Sequence, residues 1–99
     1  MSVYMCVEVK IKNREAYDRY ADAFMPVFEK FKGTMLAADF EPKVLDGEWN
    51  GDRIVMMSFP SEADVMAWLT SPEYQAISVD RIAGADTKVL LAQEIEVPQ

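Results

Sequence analysis

The segment Phe59-Pro60-Ser61-Glu62-Ala63-Asp64, continuing through Trp68 to Ser71-Pro72-Glu73-Tyr74, encodes two helix starts in close succession beside a large aromatic ring. Ser61 supplies the hydroxyl that a helix cap requires, and Asp64, three residues on, suits the reciprocal half of a capping box. Ser71 followed by Pro72 repeats the cap with proline at the first helical position. The pattern predicts one helix from Glu62 to Leu69 and another from Pro72 to Ile82. It constrains architecture rather than chemistry, because no comparable motif marks a reaction.

Before this segment, Val3, Met5, Val7, Val9 and Ile11 alternate with Tyr4, Cys6, Glu8, Lys10 and Lys12, the period-two pattern of a strand. Asn13 is placed to cap a helix whose apolar side runs Tyr17, Tyr20, Ala21, Phe24, Phe28 and Phe31 and which ends at Gly33. Pro26 removes the hydrogen bond to the Asp22 carbonyl and predicts a kink or break near Met25, opening space between helix and sheet. Met35 to Phe40 reads as a second strand and Lys43 to Leu45, entered through Pro42, as a short third. A polar turn from Gly47 to Asp52 encloses Trp49. Arg53 to Phe59 and Thr87 to Ile95 complete the strands, with Val97-Pro98-Gln99 as a tail.

The order predicts one α+β domain over residues 1–99, a mainly antiparallel sheet with helices on one face. Both alternating sets of Arg53 to Phe59 are largely apolar, and Val89-Leu90-Leu91-Ala92 offers no polar side either. Such a sheet needs cover on both faces, which predicts two subunits packed sheet against sheet.

Composition limits the chemistry. The 99 residues contain no histidine and one cysteine, which excludes Ser-His and Cys-His catalytic pairs, histidine-ligated metal or haem, and multi-cysteine zinc or iron-sulfur sites. No metal and no cofactor is expected. The net charge of −7 disfavours nucleic acid and anionic membranes as partners, both of which need a basic patch. A single cysteine, no recognisable leader and no apolar run near ~20 residues point to a cytoplasmic location.

Tyr17-x-x-Tyr20, Pro26, Leu45-Asp46-Gly47-x-Trp49, Phe59-Pro60-Ser61, Trp68, Ser71-Pro72-Glu73-Tyr74-Gln75 and Arg81, in this order and spacing, resemble the family of unknown function that carries the number 1330. That family sits within the ferredoxin-like, dimeric α/β-barrel superfamily. The resemblance implies a homodimer with a small-molecule cavity near the helices and sheet, and no established reaction. Where relatives commonly read Gly-Gly-Arg and Arg-Gly-Gly, this chain has Lys32-Gly33-Thr34 and Ala38-Asp39-Phe40, two positive charges fewer.

The candidate ligand-binding residues are Tyr4, Tyr20, Trp68, Tyr74 and Arg81. The phenols and the indole offer flat surfaces with one polar tip each, and the arginine fork matches a carboxylate, either of a ligand or of Glu73 or Asp64 within the chain. Cys6 becomes a reactive thiolate if Arg53 lies beside it, and Glu8 a base if buried. Trp49 is a candidate to reach across the dimer. The sequence thus supports a homodimeric small-molecule-binding protein, with cofactor-independent catalysis as an extension; the alternative is a non-catalytic dimeric structural or interaction module.

Overall fold

The structure, a computed structural model, describes residues 1–96, so the Val97-Pro98-Gln99 tail lies outside the described residues. Its elements are β1 (Val3–Ile11), α1 (Arg14–Phe28), β2 (Thr34–Asp39), β3 (Arg53–Phe59), α2 (Glu62–Leu69), α3 (Pro72–Gly84) and β4 (Ala85–Gln93). The four strands form one sheet in the order β2-β3-β1-β4, with every neighbouring pair antiparallel. This is the α+β arrangement expected from the sequence.

Strand alternation divides the sheet into two faces. Val3, Met5 and Val9 of β1 and Val55, Met57 and Phe59 of β3 are buried, and they form one core with Tyr17, Tyr20, Phe28, Val65, Trp68 and Tyr74 of the helices. Between them on β1, Tyr4, Cys6 and Glu8 pair with Ser58, Met56 and Ile54 on one side and with Ala92, Leu90 and Lys88 on the other. These residues make the outer face, which no helix covers; Leu90 at its centre is 68% exposed. The molecule is only 16 Å deep along its shortest axis, the depth of one sheet and one helical layer.

Local chemistry explains the helix positions. Asn13 Oδ1 accepts from the Ala16 N–H at 3.2 Å, and Ser61 Oγ accepts from the Asp64 N–H at 3.2 Å. Asp64 closes this cap through its side chain, taking the Ser61 hydroxyl proton at 2.9 Å. Ser71 Oγ accepts from the Tyr74 N–H at 3.1 Å and donates to the Trp68 carbonyl at 2.7 Å, so one buried hydroxyl ends α2 and starts α3. Gly84 closes α3 against the start of α1: its carbonyl accepts from the Lys12 and Asn13 N–H groups at 2.9 and 3.0 Å, and a β-carbon there would strike the Tyr17 backbone.

Two local expectations are corrected. Of the kink or break expected near Met25, the break is absent: α1 runs through Pro26, ends at Phe28 rather than at Gly33, and the Glu29 N–H reaches the Met25 carbonyl to close the last turn. Phe24 and Phe28 hold that turn down by edge contacts with Trp68, at ring separations of 5.8 and 5.4 Å. The short strand from Lys43 to Leu45 does not form, and residues 40–52 carry no strand. Pro42 has no N–H to offer a ladder, and Leu45 projects into solvent at 87% exposure.

Candidate ligand cavity

Between the helices and the inner sheet face lies a cavity of about 280 Å³. Its floor is Met5, Val7 and Val9 of β1, flanked by Val55 and Met57 of β3 and Thr87 and Val89 of β4. Its roof is Tyr17, Tyr20 and Phe24 of α1, with Trp68 and Tyr74. A register shift between Met35 and Ala37 turns Leu36 out of the ladder and lets both Met35 and Ala38 line the same space.

Four of the five residues singled out from sequence, Tyr20, Trp68, Tyr74 and Arg81, are brought together on this cavity. Tyr4 is not. It sits one residue out of phase with the buried Val3 and Met5, so the pleat turns it to the outer face. Cys6 and Glu8 share that face, whereas Arg53 lines the inner cavity, so the condition for a reactive Cys6, an adjacent Arg53, is not met. Trp49 lies outside the cavity too, over Gly51 and Glu8, where a β-carbon on Gly51 would meet its ring at 2.6 Å.

The polar groups of the cavity are few and specific. The Tyr20 and Tyr74 hydroxyls share one hydrogen bond of 2.9 Å, and burial, reinforced by Tyr74, pushes the Tyr20 phenol well above its ordinary value of 10.0. Tyr20 is therefore held as a neutral donor or acceptor. Arg53 donates through Nη1 to the Tyr17 hydroxyl at 2.9 Å, with its guanidinium 4.6 Å from the centre of the Phe40 ring. Arg81, in the last turn of α3, donates through Nη1 to Thr87 Oγ1 at 2.8 Å. The carboxylates considered as internal partners for Arg81 are engaged elsewhere or apart from it: Asp64 lies 3.9 Å from Lys32, and no pair with Glu73 forms.

Sequence reasoning named Arg53 as a neighbour for Cys6 and passed over Thr87. Arg53 was legible, since it shares the alternating set of Val55, Met57 and Phe59. Thr87 carried no local signal; only the β1–β4 register, which places it opposite Val9, reveals it.

A four-stranded antiparallel sheet in this order, with helices on one face and an internal cavity beneath them, defines a ferredoxin-like α+β protein. The chain belongs to the family described as Domain of unknown function (DUF1330), whose model matches residues 2–95. No curated protein matches it in sequence. Among solved structures it is similar to the RPA0582 protein of unknown function from Rhodopseudomonas palustris, with a TM-score of 0.81 at 20% identity, covering 97% of this chain and 84% of that one. It is also similar to SnoaB, a cofactor-independent oxygenase from Streptomyces nogalater, with a TM-score of 0.70 at 9% identity over 97% and 95% of the two chains. A dimeric ferredoxin-like protein of unknown function from Thermobifida fusca gives a TM-score of 0.66 at 12% identity over 94% and 92%. At these identities the likeness is one of fold.

Proposed function

We propose that this chain is a single-domain, cytoplasmic, homodimeric small-molecule-binding protein whose ligand occupies the cavity between the helices and the inner sheet face. The observation that carries this reading is the cavity itself. Its volume of about 280 Å³ stands near the lower end of the ~300–1,000 Å³ range of small-molecule sites, and an apolar wall surrounds a few fixed polar groups. A structural module would have no use for such a space, because a core of this size is more stable when filled. The volume suits a compact molecule rather than a long chain.

The outer face supports the homodimer. An 11.2 kDa monomer ordinarily exposes about 5,700 Å², whereas this chain exposes 6608 Å². The surplus, roughly 900 Å², slightly exceeds the ~800 Å² that each partner contributes to a stable interface. The Thermobifida fusca neighbour is described as dimeric. Because Tyr4 and Cys6 belong to the outer face, the dimer contact and the ligand cavity are separate surfaces of each chain.

Cofactor-independent oxygenation is the chemistry named for the Streptomyces nogalater neighbour. The lining of the present cavity contains no carboxylate, imidazole, amine or thiol to serve as a general base, which favours binding over acid–base catalysis. A thermal-shift screen of small acids, phenols and lactones tests the reading. At least one compound class should raise the melting temperature in a concentration-dependent manner, and a screen in which every class leaves it unmoved overturns the proposal.

A further inference from the structure

Among the described residues, the buried side-chain polar atoms without a protein partner are Arg53 Nε, Trp68 Nε1 and Arg81 Nε. All three are N–H donors, and all three belong to residues that line the cavity. Among the described residues, the lining contains two guanidinium groups and no acidic residue, and neither Arg53 nor Arg81 has a carboxylate within 4.0 Å. This occurs in a chain whose net charge is −7, where acidic side chains outnumber basic ones by 17 to 10. The surface carboxylates pair with Lys10, Lys12, Arg14, Arg19 and Lys32 instead.

The two arginines serve the same end of the space. Arg53 pairs in register with Val9 from β3, and Thr87, which holds Arg81, pairs with Val9 from β4. The backbones of Arg53 and Thr87 are therefore separated by one intervening strand, about 10 Å at the usual strand spacing. Each guanidinium spends Nη1 on a neutral hydroxyl, which fixes its plane without neutralising its charge. Away from Val9, the wall becomes apolar and aromatic, with Met35, Met57, Phe24, Leu69 and Trp68. The cavity is thus cationic and rich in donors at one end and greasy at the other.

Resting on the small-molecule-binding reading, we infer that the ligand of this cavity is a compact amphipathic monocarboxylic acid, its carboxylate held by Arg53 and Arg81 and its apolar body lying against Met35, Met57 and Trp68. A carboxylate supplies acceptors for the orphan Nε–H groups of Arg53 and Arg81 and the negative charge that the two guanidinium groups require. A cationic ligand meets like charge in a poorly solvated space, and a polyphosphate brings more charge than two arginines offset within an apolar wall.

Calorimetric titration of the intact protein with phenylacetate, 3-phenylpropanoate, cinnamate and hexanoate, each beside its primary amide and its amine, tests this. The acids should bind at least tenfold more tightly than their amides, and the amines should not bind. Arg53→Gln and Arg81→Gln should each weaken the acids by at least tenfold, with circular dichroism like the parent's showing that the fold is still formed. Arg53→Lys, keeping charge without the fork, should fall between. Amides binding as well as acids, or Gln variants binding acids like the parent, overturns the carboxylate assignment and leaves the binding cavity standing. Failure of acids, amides and amines alike overturns the carboxylate assignment, and if phenols and lactones also leave the melting temperature unmoved the binding cavity falls with it.

Discussion

Tyr20 and Tyr74 show how much one hydrogen bond can carry in a wall of this kind. Their hydroxyls satisfy each other, so Tyr20→Phe strands the Tyr74 hydroxyl and should cost about 1–3 kcal/mol in denaturant unfolding. The double change to phenylalanine should cost less than the sum of the two single ones, because it removes both polar groups together. The same pair predicts an alkaline dependence. An unfolded tyrosine ionises near 10.0, whereas burial holds the Tyr20 proton in the folded state. The unfolded chain therefore releases a proton that the folded chain keeps, so this contribution to stability is complete below about pH 10 and is lost as pH rises above it. Chemical denaturation at several alkaline pH values should show a shallower decline for Tyr20→Phe than for the parent. An identical decline in both would mean that Tyr20 ionises freely in the folded protein.

At the scale of elements, the junction of α2 and α3 depends on Ser71. Its buried hydroxyl ends one helix and caps the next, so Ser71→Ala should lower stability by about 1–2 kcal/mol, measured as a shift in denaturation midpoint with unchanged slope. Ser61→Ala, at a more exposed cap, should cost less. Both caps were legible in sequence because serine, proline and acidic residues at fixed offsets have local mechanical consequences. Strand pairing was legible in part: the alternation of Val3, Met5, Val7 and Val9 shows which side is core, and by exclusion places Tyr4 outside it. Grouping Tyr4 with Tyr20 and Trp68 takes the face of Tyr4, Cys6 and Glu8 as the cavity wall, whereas the cavity lies on the opposite face of the sheet. The segment from Phe40 to Asp52 misled in the opposite direction. Lys43-Val44-Leu45 has strand-like composition, but a strand exists only with a partner, and Pro42 and the outward Leu45 offer it none. Gly84 was not read at all, since the need for hydrogen at its α-carbon arises from Tyr17, distant in sequence.

For the molecule as a whole, the decisive asymmetry lies between the two faces of the sheet. The inner face is covered by three helices, while the outer face presents Met56, Cys6, Leu90 and Ala92 with no covering layer. The Cα radius of gyration, 14.2 Å, exceeds the ~13 Å of a compact domain of this length, as suits one half of a thicker body. Light scattering at micromolar concentration should return about twice 11.2 kDa. Leu90→Glu, which sets a charge in the middle of the outer face, should return the single-chain mass with helical content retained; an unchanged mass in this variant would move the contact elsewhere.

The residues that line the cavity all come from one chain. Uptake should therefore saturate at one molecule per polypeptide, with a simple hyperbolic isotherm, and chains forced apart by Leu90→Glu should fill as readily as paired ones. That result would make pairing and uptake separable, each open to change without the other.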